Sequence, residues 1–365
     1  MKKVLFAMPD LRGGGAEKVL IDILKKIDKK KFEITLLLFT RTGVYINEIP
    51  KEVKVICIKE KLKIIPGRFW IRYFNKNPQL FYKYLIKEKY DIEIAFMEGL
   101  ATKFISYSNN NSSKKIAWVH IDLLRKHWTK EMFLENEEAN SYNKFDDIIF
   151  VSNDAKKSFE DLFENNISNK KIIYNPIIDE EIIEKSNQIK INFDNFTIIS
   201  VGRLDKQKGY DRLLRVHSRL VNKYPHKLLI LGEGEERENL EQLMKELKIV
   251  NSVELKGFVK NPHPYIKSAN LYVCSSITEG YPLVVAESLI LGKGILATDI
   301  TGPKEILNNG QYGMICEDSE EGLYKSLQSL LEHKEIIKEY ENKSKIGRIS
   351  LDYKKRIQEI EKLFN

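Results

Sequence analysis

The 365-residue chain has 42% hydrophobic and 31% charged side chains, a composition that excludes fibrous and disordered classes and, at this length, suggests two domains. Its 60 Lys and Arg against 52 Asp and Glu leave a net charge of +8, an excess suited to phosphorylated ligands, anionic lipid or nucleic acid. Cys57, Cys274 and Cys316 match no zinc or redox spacing and the six histidines form no metal-type pair, so buried thiols in a reducing compartment and no protein-held metal are expected.

The opening MKKVLFAMPD carries an apolar run too short for a signal-peptide core, and the spacing predicts a strand over 3–8. No apolar stretch approaches the roughly 18 residues that cross a bilayer, and a cytoplasmic protein is expected. A loop over 9–14 leads into a helix over 15–27, with Val19, Leu20, Ile23, Leu24 and Ile27 on one face. The glycines of GGGAE at 13–17 let backbone N–H groups come close to a ligand, at a helix start that favours anions; a merely tight turn is the alternative. The stretch is not a GxGxxG fingerprint, so a nicotinamide dehydrogenase is not implied.

Strands are expected over 34–39, 53–58, 92–96, 115–119 and 148–151. Residues 59–90 stand apart: nine Lys and Arg face two Glu, with eight aromatics interleaved. They read either as a solvated helical face with its core stripe or as a patch lying on an anionic membrane surface. No nucleic-acid-binding module accompanies them.

The second half restarts the scheme with a strand over 196–201, a loop over 202–209 and a helix over 210–221. Strands recur over 227–231, 253–256, 271–274 and 294–297. The two openings, KVLFAMPDLRGGGAEKVLIDIL and TIISVGRLDKQKGYDRLLRVHS, are the same strand–loop–helix device, which indicates an α/β protein of two Rossmann-like domains facing across a cleft. The expected division is a first domain over 1–185, a second over 186–349 with a polar linker near 186–195, and a terminal helix over 350–365. Tyr353, Ile357, Ile360 and Phe364 give that helix one apolar face with which to cross back to the first domain.

Two cations, Arg203 and Lys208, lie in the glycine-bounded loop after the second domain's first strand, an arrangement suited to a diphosphate but by itself also to ordinary surface charge. In SSITEGYPLVVAES at 275–288, Gly280 permits a turn and Pro282 fits the first position of a helix. Glu279 then precedes the helix and Glu287 lies along it, so two acids can address different parts of one extended ligand.

This last stretch resembles the E-x7-E motif of retaining glycosyltransferases with the GT-B fold, in the large family 4 of nucleotide-sugar-dependent enzymes. GGGAE, AWVH, FVSN, YNP, GRLDKQKG, LGEGEER, GFVKN and TGPKEIL follow in that family's order. The resemblance implies that Arg203 and Lys208 hold the donor diphosphate, Glu279 sits against the transferred sugar and Glu287 takes the ribose hydroxyls. It places Gly280, Tyr281, Leu283 and Val284 at sugar or phosphate through their backbone N–H groups. Gly232, Gly234, Phe258 and Val259 would line the base. From the first domain, Gly14 and Gly15 would approach the phosphates and His120 the donor sugar or the acceptor. No metal or other cofactor is implied. The expected reaction is transfer of a hexose or N-acetylhexosamine from a nucleotide diphosphate sugar, UDP above others, to a hydroxyl of a lipid-linked or surface glycan at the inner membrane face. A sugar-nucleotide epimerase and an inactive sugar-nucleotide-binding protein are the alternatives.

Overall fold

Short runs rich in Ile, Leu and Val alternate with amphipathic stretches along the chain, and in the computed structural model they form two parallel α/β units. The structure describes residues 1–62, 74–125, 127–163 and 169–365. One unit comprises Met1–Pro176 with Lys354–Asn365, the other Ile177–Tyr353.

The first unit holds β1 (Lys2–Met8), β2 (Phe32–Leu38), β3 (Lys54–Cys57), β4 (Ile92–Ala95), β5 (Lys114–Val119), β6 (Asp147–Phe150) and β7 (Lys170–Ile172). They pair in parallel in the order β3-β2-β1-β4-β5-β6-β7. Helices cover both faces of such a sheet, which is why Val4, Leu5, Phe6, Ala7 and Met8 are all buried without alternation.

The second unit holds β8 (Thr197–Val201), β9 (Lys227–Leu231), β10 (Val253–Gly257), β11 (Leu271–Cys274), β12 (Ile295–Thr298) and β13 (Met314–Cys316), also parallel, in the order β10-β9-β8-β11-β12-β13. Two apolar clusters lie on the sheet's two faces, one around Leu213, Leu214 and Leu327, the other around Val285, Ala286 and Leu289. In both sheets the strand order reverses beside the first strand, between β1 and β4 and between β8 and β11. The loops that leave such neighbours diverge, and the crevice between them is where open α/β sheets bind ligands.

The terminal helix, Tyr353–Leu363, buries Ile357, Ile360, Leu363 and Phe364. Phe364 meets Phe6 and Phe32 edge-on, with ring centroids 6.1 and 5.3 Å apart. Lys2 Nζ donates to Phe364 O at 2.8 Å and Lys114 Nζ to Leu363 O at 2.7 Å, so cations cap the helix's last carbonyls. The tail therefore belongs to the first unit.

Several details differ from the sequence expectation. The strands β7 and β13 are three residues each at sheet edges, too short to carry a period. The units divide at Pro176/Ile177 instead of 185/186, because the helix Asp179–Ser186 buries Ile182 in the second unit's core. Of the basic aromatic stretch, residues 63–73 lie outside the described residues. Among the rest Phe74, Phe81, Tyr82 and Tyr90 are core, while Leu80 and Tyr84 on the helix Pro78–Leu85 are each 58% exposed. All three cysteines are buried and free. Among the described residues no helix is long and apolar enough to cross a membrane.

Candidate active site

The loop after β8 and the loop after β11 meet beside the point where the second sheet reverses. Asp205 opens a short 3-10 turn, Lys206–Lys208, by accepting the Lys208 N–H at 3.3 Å, and Gly209 ends it at φ +61°. A side chain at Gly209 would also run into Ser275 O, so only glycine serves there. Hydrogen bonds from side chains and backbone stitch the two loops together. Ser275 Oγ donates to Lys208 O at 2.9 Å, Gln207 Nε2 to Thr278 O at 2.8 Å, and the Ile277 N–H to Gln207 O at 2.8 Å. Arg212 holds the far side, donating through Nε and Nη2 to Ser275 O at 2.9 and 2.7 Å, through Nη2 to Ser276 O at 2.7 Å, and through Nη1 to Asp318 Oδ1 at 2.8 Å.

This scaffold joins Lys208 to Glu279. Lys208 Nζ bonds Glu279 Oε1, and Ser276 Oγ donates to the same oxygen at 2.7 Å. Burial works against the Lys208 ammonium, but the Glu279 carboxylate more than offsets it, and the net shift is upward. The lysine is thus a fixed cation at the crevice, available to an anion without a change of protonation. Arg203 is not drawn into this pair; its side chain is 75% exposed, with Nε 3.7 Å from Asp205 Oδ2.

Pro282 is the N-cap of the helix Leu283–Ile290, not its first residue, and Val285 and Ala286 N–H groups bond its carbonyl at 3.1 and 3.4 Å. The N–H groups of Leu283 and Val284 therefore precede the first intrahelical bond, at the positive end of the helix. Gly280 and Pro282 pack closely on Gly302, and Tyr281, Leu283 and Val284 are half-buried. Glu287 sits one turn further on, with Oε2 3.4 Å from His263 Nε2. At the end of β9, Gly232 donates to Gly257 O at 2.9 Å and lies so close to Gly202 O that a Cβ would collide with it. Gly234 packs on Leu204; Phe258, just beyond β10, is 63% exposed and Val259 is partly buried.

In the first unit Gly14 is the N-cap of the helix Gly15–Lys26, and the Glu17 carboxylate folds back over it. His120 follows β5 and is buried. Its Nε2 lies 3.1 Å from Phe96 O, a carbonyl that only accepts, so Nε2 carries the hydrogen and Nδ1 is the acceptor. Burial pushes its pKa down to about 3, and the ring is neutral. Glu98 accepts the His120 N–H and, at 3.1 Å, the Ile121 N–H; burial pushes its pKa up to about 7.

Sequence reasoning singled out Lys208, Glu279 and Glu287 but not Ser275, Ser276, Gln207, Arg212, Glu98 or His263. A clue was present for the serines, which adjoin the acidic motif. Arg212 looks like any charged residue of an amphipathic helix. Among the described residues no group of three or more His, Cys, Asp or Glu could hold a metal ion.

Residues 181–348 match the family model described as glycosyl transferases group 1. A Campylobacter jejuni protein named N-acetylgalactosamine-N,N'-diacetylbacillosaminyl-diphospho-undecaprenol 4-alpha-N-acetylgalactosaminyltransferase is 32% identical over 94% of this chain and 94% of its own. A second C. jejuni protein, named as an alpha-1,4-N-acetyl-D-galactosaminyltransferase acting on a GalNAc-extended diNAcBac-PP-undecaprenol, is 26% identical over 94% of this chain and 93% of its own. Among solved structures, Anabaena HepE in complex with UDP and glucose is similar with a TM-score of 0.80 at 19% identity, covering 100% of this chain and 99% of that one.

Proposed function

Because the chain belongs to the group 1 glycosyltransferases and has their GT-B fold, we propose that it is a retaining transferase using a UDP-hexose or UDP-N-acetylhexosamine and acting on a hydroxyl of a lipid-linked glycan. The observation that carries the reading is the Lys208–Glu279 pair at the crevice of the second sheet, beside a helix N-terminus with N–H groups to give. A diphosphate entering there meets a cation that is already largely shielded from water and held. Arg203, exposed at the same loop, adds a second cation, and the N–H groups of Leu283 and Val284 a third point of contact.

Chemically, the arrangement suits departure of the nucleotide. As the sugar–phosphate bond stretches toward an oxocarbenium-like state, charge grows on the diphosphate, where Lys208, Arg203 and the helix dipole stabilise it without reorganising. Binding frees Glu279 from Lys208 as the ammonium turns to phosphate, and the carboxylate then lies against the transferred sugar. The acceptor hydroxyl attacks from the face the nucleotide vacates, giving its proton to a diphosphate oxygen, so configuration is retained. Glu287 takes the ribose hydroxyls; Gly232, Gly234, Phe258 and Val259 line the base. We assign no metal, since fixed cations and backbone N–H groups supply the charge neutralisation.

On the first unit His120, being neutral, serves as a hydrogen-bond acceptor at Nδ1 for a sugar or acceptor hydroxyl, not as a cation. Gly14 and Gly15 bring backbone close to the donor, though the Glu17 carboxylate over Gly14 suits that helix start to hydroxyls better than to a second anion. The lipid-linked acceptor is supported by the undecaprenol-linked substrates in the names of both C. jejuni relatives. A peripheral contact with anionic lipid at the cytoplasmic membrane face is supported by exposed Leu80 and Tyr84 beside Lys83 and Lys87.

Melting the protein with UDP-, GDP-, ADP- and dTDP-sugars tests the donor, with UDP-sugars expected to raise Tm most. Incubation of UDP-GlcNAc and UDP-GalNAc with and without a polyprenyl-diphosphate-linked saccharide then tests the reaction. Transfer only in the presence of the saccharide is expected, with the α-linkage read by NMR; interconversion of the sugars without it means an epimerase. Liposome flotation that is indifferent to anionic lipid removes the membrane contact and leaves the transferase reading intact.

A further inference from the structure

Glu287 faces His263, the first residue of the short helix His263–Ser268, with Nε2 3.4 Å from Glu287 Oε2. Neither side chain is much exposed, 10% for His263 and 14% for Glu287. The other ring nitrogen has a fixed partner. Asn261 donates through Nδ2 to Lys185 O at 2.9 Å and to Gln188 Oε1 at 3.0 Å, which fixes its Oδ1 as an acceptor. That oxygen faces the His263 backbone N–H at 3.3 Å and Nδ1 at 3.1 Å, so Nδ1 carries a hydrogen.

Nε2 is shut off from solvent and has no hydrogen-bond partner among the described residues; the nearest ion-pairing oxygen is that of Glu287. A bare lone pair kept there against a carboxylate would carry the full cost of a buried, unpaired polar atom. With a hydrogen on Nε2 the same contact becomes a charge-assisted interaction.

We propose that His263 is a positioning residue for Glu287: anchored through Nδ1–H to Asn261, it presents Nε2–H to the carboxylate and holds it for the ribose hydroxyls of the donor. The inference rests on the assignment of Glu287 to the ribose. A carboxylate fixed before binding accepts two vicinal hydroxyls without first losing rotamer freedom, which raises affinity for ribose in particular. The anchor lies in the loop before the helix, so the device spans the segment from Asn261 to Glu287 and uses no catalytic residue.

Calorimetric titration of the full chain with UDP and with 2′,3′-dideoxy-UDP tests it. His263→Phe keeps the ring's bulk and is expected to weaken UDP by about tenfold, the scale of one charge-assisted hydrogen bond, while leaving dideoxy-UDP unchanged. His263→Gln, with an N–H near the place of Nε2, is expected to recover most of the loss. Asn261→Ala, which removes the anchor without touching the ring, is expected to show a smaller loss confined to UDP and serves if His263→Phe does not fold. Equal weakening of both nucleotides, or none for UDP, overturns the role of His263. If wild type and Glu287→Ala bind both nucleotides alike, the ribose assignment itself fails, and the inference with it.

Discussion

The loops beside the central strands of the two sheets start from the same strand–loop–helix device and end in opposite chemistry. In the second unit they carry Lys208, Arg203, Glu279 and Arg212, and side-chain bonds between loops keep charge at the surface of the crevice. In the first unit the corresponding loops hold a buried neutral His120, a buried Glu98 whose pKa is pushed up to about 7, and a carboxylate folded over the helix start. Burial suppresses charge at His120 and Glu98, and ion pairing preserves it at Lys208 and Glu279. On the function proposed above, the same scaffold divides labour, with the polyanionic nucleotide on the second unit and neutral hydroxyls on the first.

The largest expected break in that contrast is Lys208→Ala. Losing a preorganised charge at the departing diphosphate should lower kcat by about 2–4 kcal/mol of transition-state stabilisation, read by steady-state kinetics with the UDP-sugar. Turnover near the wild-type level would show that the phosphates lie elsewhere. Arg212→Leu strips the Ser275 and Ser276 carbonyls and Asp318 of their donor. A loss of about 2–3 kcal/mol in second-unit stability is expected in denaturant unfolding, with a raised KM for the donor.

A pH series sharpens the contrast further. His217 and His226 form a buried chain, with 2.9 Å between His217 Nδ1 and His226 Nε2 and 2.6 Å from His226 Nδ1 to Tyr224 O, and burial lowers both pKa values, that of His217 to about 3. The native state then binds fewer protons than the unfolded chain, so stability is full above the ordinary histidine value of 6.5 and is lost as pH falls below it. Each depressed histidine contributes a slope of up to about 1.4 kcal/mol per pH unit. In the first unit Glu98 works against His120. Its raised pKa gives stability that is present below 4.5 and lost as pH rises through about 7, so acidification over that window favours the fold. Hydrogen exchange at pH 7 and pH 5.5 should show the second unit losing more protection than the first; equal losses would contradict the burial of the His217–His226 chain. The smallest effect is expected from His120→Ala, about 1 kcal/mol in kcat/KM for transfer with no change in UDP affinity. A matching loss of UDP affinity would place His120 at the nucleotide and dissolve the division of labour.

Much of this was legible along the chain. Apolar runs of four to seven residues bounded by glycine-bearing loops marked most of the strands, because parallel strands buried on both faces have no polar side to break the run. Lys208, Glu279 and Glu287 could be picked out because glycine, proline and charge stand at a strand's end, where local rules place a turn and a helix start. The edge strands β7 and β13 could not, being three residues long, and Pro282 could serve equally at the cap or one place on.

By itself the sequence determined the two α/β halves, their central strands and the charged groups at the loops after β8 and β11, since each depends on the pattern of a few adjacent residues. Tertiary structure alone decided that Lys208 closes on Glu279, 71 positions away, that Arg212 holds the Ser275 and Ser276 carbonyls, and that His263 faces Glu287. The first two follow from β8 lying beside β11 at the reversal of the sheet, the third from the packing of the helices that precede and follow β11. Strand order is a property of long-range pairing, and no local periodicity encodes it.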